Sequence, residues 1–131
     1  MSEISEKVYS LLRKCFPHNI IIKEHFVKFK GVKLFFDFYI KELRVLIEVQ
    51  GKQHTQFIKH FHGSKEGFIR SRKRDNLKVE YAQENNLLLV QIYYDEVLTE
   101  VSLIDKIYKA FRENNNEQCN NSNRKGPHKK R

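Results

Sequence analysis

The chain has 131 residues, which suits one domain by the prior of roughly 150 residues and suffices to bury a single core. Its 25 Lys and Arg against 16 Asp and Glu leave a formal charge of +9, while 40% apolar content argues against disorder over the whole length. No apolar run approaches the ~18 residues of a membrane span, and the charged first twenty residues hold no signal-peptide core. Cys15 and Cys119 alone cannot frame a disulfide scaffold or a four-ligand zinc site. The expectation is a basic, single-domain, intracellular (cytoplasmic) protein with no membrane partner.

In chain order, residues 3–15 predict an amphipathic helix, because Ile4, Val8, Leu11, Leu12 and Cys15 recur at helical spacing and Pro17 stops the run. Residues 20–29 predict a strand, with a turn at Lys30-Gly31. Residues 34–40 and 44–50 are two β-rich runs three residues apart, which predicts a hairpin. The stretch from Gly51 to Gly67 has no clean period and reads as a loop holding His54, His60 and His62. Glu66 to Asn85 predicts a helix, and residues 87–94 a buried strand. Val97 to Arg112 predicts a second amphipathic helix, with Val97, Val101, Ile104, Ile107, Tyr108 and Phe111 on one side. Residues 1–112 thus form the domain, and the polar, low-complexity residues 113–131 predict a disordered basic tail. The order α-β-β-β-α-β-α implies an α/β fold, a mixed sheet flanked by helices and closed by a C-terminal helix.

The charge is spread over both parts. From Glu113 onward the surplus is +3, so the body carries +6 of its own, dense in KHFHGSKEGFIRSRKRDNLK. A folded body that is itself basic points to a polyanionic partner, most often nucleic acid, and Lys52, Arg70, Arg72, Lys73, Arg74 and Lys78 are the candidate phosphate contacts. A solvated basic helix face is the plain alternative.

Strand alternation puts Phe36, Phe38 and Ile40 on one face and Phe35, Asp37 and Tyr39 on the other. In the next strand Leu46, Glu48 and Gln50 share a face. If the hairpin closes through Glu42-Leu43, Asp37 faces Glu48. Two like charges opposite one another repel, and both interrupt runs that read as buried. A bound divalent cation answers both objections, since Mg²⁺ takes one or two carboxylates together with waters and phosphate oxygens. An ordinary ion-pair cluster with Lys41, Arg44 or Lys52 is the alternative.

Asp37, ten intervening residues, and then Glu48-Val49-Gln50 resemble the Asp-xₙ-Glu-x-Lys core of the PD-(D/E)xK nuclease superfamily, with Gln50 standing where most members carry lysine. Gly51 and His54 follow, and Arg74-Asp75 lies on the next helix. That longer pattern is similar to the branch of very-short-patch repair endonucleases and related phage homing endonucleases. The resemblance runs roughly from Glu6 to Asp95. It implies a restriction-endonuclease-like α-β-β-β-α-β core and a Mg²⁺-dependent DNA endonuclease of a bacterial or phage-infected cell, with Mn²⁺ able to substitute. It further implies Asp37 and Glu48 as metal ligands, Gln50 in place of the lysine, and His54 as general acid or base. Asp75 would complete the site from the helix, and Glu6 would be the N-terminal acid, with Glu3 and Glu24 as alternatives. Small nucleases of this fold often cut both strands as homodimers, although no dimer seam is legible. The competing expectations are a non-catalytic nucleic-acid-binding module, for which Gln50 is the best argument, and a nuclease subunit of a larger assembly. Zinc at His60 and His62 is disfavoured, because no second ligand pair stands at metal-site spacing.

Overall fold

The computed structural model describes residues 3–50 and 65–125, with side chains described as far as residue 114. Lys52, His54, His60 and His62 lie outside the described residues. The elements are α1 (Glu3–Cys15), β1 (Ile21–Phe29), β2 (Val32–Ile40), a 3₁₀ turn (Lys41–Leu43), β3 (Val45–Gln50), α2 (Lys65–Glu84), β4 (Leu88–Tyr93) and α3 (Glu100–Lys125). They form a mixed α/β fold around one four-stranded sheet ordered β1-β2-β3-β4, in which β1-β2 and β2-β3 are antiparallel and β3-β4 is parallel. No helix among the described residues is long and apolar enough to cross a membrane.

Each connection has a local cause. Lys30 (φ 50°) and Gly31 (φ 78°) sit between the paired residues Phe29 and Val32, so both turn residues have positive φ, the two-residue turn whose twist suits a hairpin. The second hairpin pairs Ile40 with Val45, and Arg44 takes a left-handed conformation (φ 57°) while donating its N–H to the Lys41 carbonyl. Its guanidinium then donates to the carbonyls of Asn85 (2.5 Å) and Asn86 (3.3 Å), answering backbone acceptors where α2 ends. Arg44 is thereby committed to the helix end rather than to the acidic pair.

The sheet has two unlike sides. Val8 and Leu12 of α1, and Leu103 and Ile107 of α3, pack with Phe38, Ile40, Val45, Ile47, Val49, Val90 and Ile92 into one apolar cluster. Leu34, Phe36, Leu46 and Ala82 form a smaller second cluster, with Leu77 and Tyr81 of α2 packed against it. Simple alternation predicts Phe36 and Phe38 on one face, yet they belong to opposite clusters. The reason is a local irregularity in the hairpin: the β1-β2 ladder passes over Glu24 and Asp37, and Glu24 is left-handed (φ 52°). One odd residue on each strand reverses the facing of everything beyond it. Ile21 therefore packs with the α1 side, whereas Val27 and Phe29 pack with α2.

α3 also departs from expectation. It runs past Arg112 to Lys125, and its inward stripe is Leu103, Ile107 and Ala110. Val97, Val101, Ile104 and Tyr108 are exposed, at 81%, 70%, 44% and 64%. The segment thus carries two apolar stripes side by side, which one broad stripe on a helical wheel cannot distinguish.

Candidate metal centre

β3 is the most deeply placed strand, with all six of its residues buried, and two of them are Glu48 and Gln50, each 4% exposed. Both point toward α2, on the face shared with Leu46. The β2-β3 ladder ends at Phe38↔Ile47, and the next position in the same register is Asp37 opposite Glu48, as the hairpin length predicts. Here the carboxylates take over from the backbone. The Asp37 N–H donates to Glu48 Oε2 at 3.0 Å, and the Val49 N–H donates to Asp37 Oδ2 at 2.8 Å. Each acid accepts a main-chain N–H from the other's strand, so two like charges are held side by side where the strands part. Such bonds fix both side chains in place.

Lys78 approaches from α2. Its Nζ donates to Glu48 Oε1 at 2.6 Å, and the two side chains are only 14% and 5% exposed. The ammonium also lies 5.5 Å from the centre of the Phe36 ring. Expected among the phosphate-contacting residues of the helix surface, Lys78 instead places its ammonium on Glu48. The sequence offers Lys41, Arg44 and Lys52 as ion-pair partners, whereas the cation on Glu48 is Lys78. A signal for it exists in the residues: Lys78 stands four residues before the buried Ala82, on the stripe that faces the sheet. Burial is the largest influence on Glu48 and pushes its carboxyl above the ordinary carboxylate range. Lys78 opposes that shift, and the neighbouring Asp37 charge adds to it.

Beside this trio lies an open cleft of ≈ 200 Å³ lined by Gln50, Arg72, Asp75, Asn76, Val79, Gln91 and Tyr93. Gln91 is the β4 partner of Glu48 and Tyr93 that of Gln50, so the cleft opens at the carboxyl ends of the parallel pair, where α/β sheets commonly bind ligands. The Gln50 Oε1 atom is buried with no hydrogen-bond partner among the described residues. Asp37, Glu48, Gln50 and Asp75 are thus drawn into one region by β2, β3 and α2. Glu6 is not: it is exposed on α1, which packs on the other face of the sheet. Arg70, Arg72, Lys73 and Arg74 are exposed on α2, a basic surface adjoining the cleft.

Among the described residues no group of three or more His, Cys, Asp or Glu gathers as a metal cage. Two adjacent carboxylates nevertheless suit Mg²⁺, which keeps most of its waters and needs only one or two such ligands. The donor set is hard oxygen throughout, and the paired negative charge is what a divalent cation would balance.

No family model and no solved structure matches the chain. It is 40% identical over 58 residues to Uncharacterized protein 307L of Invertebrate iridescent virus 6, a stretch covering 44% of this chain and 29% of that protein. It is 31% identical over 71 residues to Uncharacterized protein 033L of Invertebrate iridescent virus 3, covering 54% of this chain and 37% of that one. The chain therefore corresponds to well under half the length of either viral protein.

Proposed function

We propose that this domain is a Mg²⁺-dependent DNA endonuclease of the restriction-endonuclease-like kind, hydrolysing phosphodiester bonds at the carboxylate pair. One observation carries the reading: Asp37 and Glu48 are locked side by side through each other's strand backbone, with the Lys78 ammonium on the outer oxygen of Glu48. A fold seeking only stability gains little from a buried carboxylate held against a half-buried one, whereas a cation site requires such a pair. Asp37 and Glu48 would hold Mg²⁺ or Mn²⁺, which when bound supplies a polarised phosphate and a more acidic water. Lys78 provides the positive charge that the motif's usual lysine would bring, delivered from α2 because position 50 is Gln. Its ammonium would counter charge on the phosphate as the leaving oxygen departs. Arg70, Arg72, Lys73 and Arg74 would grip the nucleic-acid backbone without reading its sequence. Asp75 orients groups in the cleft, and His54 retains the proton-transfer role that the resemblance implies.

A non-catalytic nucleic-acid-binding module is the second reading. The Lys78–Glu48 ion pair favours it, since Glu48 is balanced there by the protein's own ammonium. The greater length of the viral relatives leaves room for a nuclease part within a larger protein. Incubation of the chain with plasmid, linear, mismatched and branched DNA, with and without Mg²⁺ or Mn²⁺, separates these. Cleavage that depends on the cation and disappears in Asp37→Asn supports the endonuclease. Retained binding with no cleavage of any substrate favours the module.

A further inference from the structure

We propose that Gln50 is the acceptor to which the Lys78 ammonium moves when a divalent cation occupies the Asp37–Glu48 pair. The inference rests on the cation-site reading above and assigns Gln50 a positioning role rather than that of a ligand.

Three observations converge. Lys78 Nζ and Glu48 Oε1 are 2.6 Å apart inside a patch that water barely reaches. A cation bound to Glu48 would lie within a few ångströms of that ammonium, where like charges repel strongly because screening is weak. The lysine must therefore leave Glu48, and a displaced ammonium in a buried patch needs an acceptor. Gln50 offers one: its Oε1 is buried without a hydrogen-bond partner among the described residues, an arrangement that costs free energy until a donor arrives. It lies on the same face of β3 as Glu48, two residues along, a step of about 7 Å. The third observation is the cleft, whose lining Gln50 shares with Asp75, Asn76 and Val79, the α2 residues on either side of Lys78 in the chain. The four-carbon lysine stem allows such a move without moving the helix. Gln at position 50 then follows from the lysine's origin on α2: strand and helix exchange the two roles, amide on one and ammonium on the other.

The test is a double-mutant cycle read by calorimetric titration of Mg²⁺ and Mn²⁺ into the whole chain, without nucleic acid. Gln50→Leu should weaken cation binding roughly tenfold, as expected for coupled neighbours, because Lys78 then has no second acceptor and stays on Glu48. In a Lys78→Met background the same Gln50→Leu change should alter affinity by less than about twofold, there being no ammonium to rehouse. Where Lys78→Met does not fold, Lys78→Gln leaves Glu48 a neutral donor and closes the same cycle. An equal loss in both backgrounds would make Gln50 a direct ligand and overturn the proposal, as would no loss in the wild-type background. A wild-type chain that shows no saturable cation binding removes the site reading, and the inference falls with it.

Discussion

On the side of the sheet covered by α1 and α3, the buried cluster is apolar from Val8 and Leu12 through to Leu103 and Ile107; on the side covered by α2, Glu48 and Gln50 are buried beside Leu46 and Ala82. One strand, β3, supplies both sides by alternation, so Val45, Ile47 and Val49 hold the fold while Glu48 and Gln50 build the site. The difference shows a division of labour within a single six-residue run. The apolar side needs shape and area, which many residues share. The polar side needs specific partners, because each buried charge or amide is costly unless answered.

Mutations on the two sides should therefore fail differently. Phe38→Ala removes a fully buried ring that stacks against Tyr9 and should cost about 3–5 kcal/mol, at any pH and with any cation present. A chemical-denaturation midpoint that barely moves would show that the α1 side is not the main core. Lys78→Met should cost roughly 3 kcal/mol in metal-free protein near neutral pH, since it strands a buried carboxylate. Unlike the core variant, its deficit should shrink in acid, where Glu48 takes up a proton that burial already favours. It should also shrink when Mg²⁺ is added. A deficit that ignores both would place Lys78 among ordinary packing residues.

Gln50→Leu should have the opposite sign. Replacing an unanswered buried amide oxygen by methyl groups should hold or raise metal-free stability, by up to about 1–3 kcal/mol, and a thermal melt reads this directly. A marked loss would mean that the amide already has a partner. The smallest effect concerns His25, which packs against Tyr39 with ring centres 4.5 Å apart. Burial lowers its pKa from the ordinary 6.5, so its neutral form is the one the fold accepts. That contribution is complete above the ordinary value and is lost as pH falls through the lowered one. His25→Gln should flatten the acid-side fall in melting temperature, and an unchanged pH profile would contradict this.

The contrast between the two sides also explains how much is legible in the residues. Strand positions emerge to within a residue or two, because β-branched and aromatic runs bounded by turns specify them. The Asp37–Glu48 juxtaposition follows from the hairpin length, since register leaves two strands few ways to pair. The reversal of facing at Glu24 is illegible, because a glutamate gives no sign that its φ is positive. Lys78 is missed for a related reason: a lysine among Arg70, Arg72, Lys73 and Arg74 reads as another solvated cation until the sheet it faces is known. Glu6 errs the other way, a motif acid on a helix that packs against the opposite face. His54 and Lys52, which lie outside the described residues, keep the roles expected of them as proposals.

Whether Asp37 and Glu48 are kept together for a divalent cation can be read from thermal melts of wild type and Asp37→Asn with and without Mg²⁺. Asparagine can still accept the Val49 N–H while removing one of two repelling charges. The variant should melt at or above wild type without metal; Mg²⁺ should raise the wild-type melting temperature in a concentration-dependent way and leave the variant unmoved. A wild type indifferent to both Mg²⁺ and Mn²⁺, alongside a variant melting well below it, would rule out a cation site and leave the pair as part of an internal ion-pair cluster.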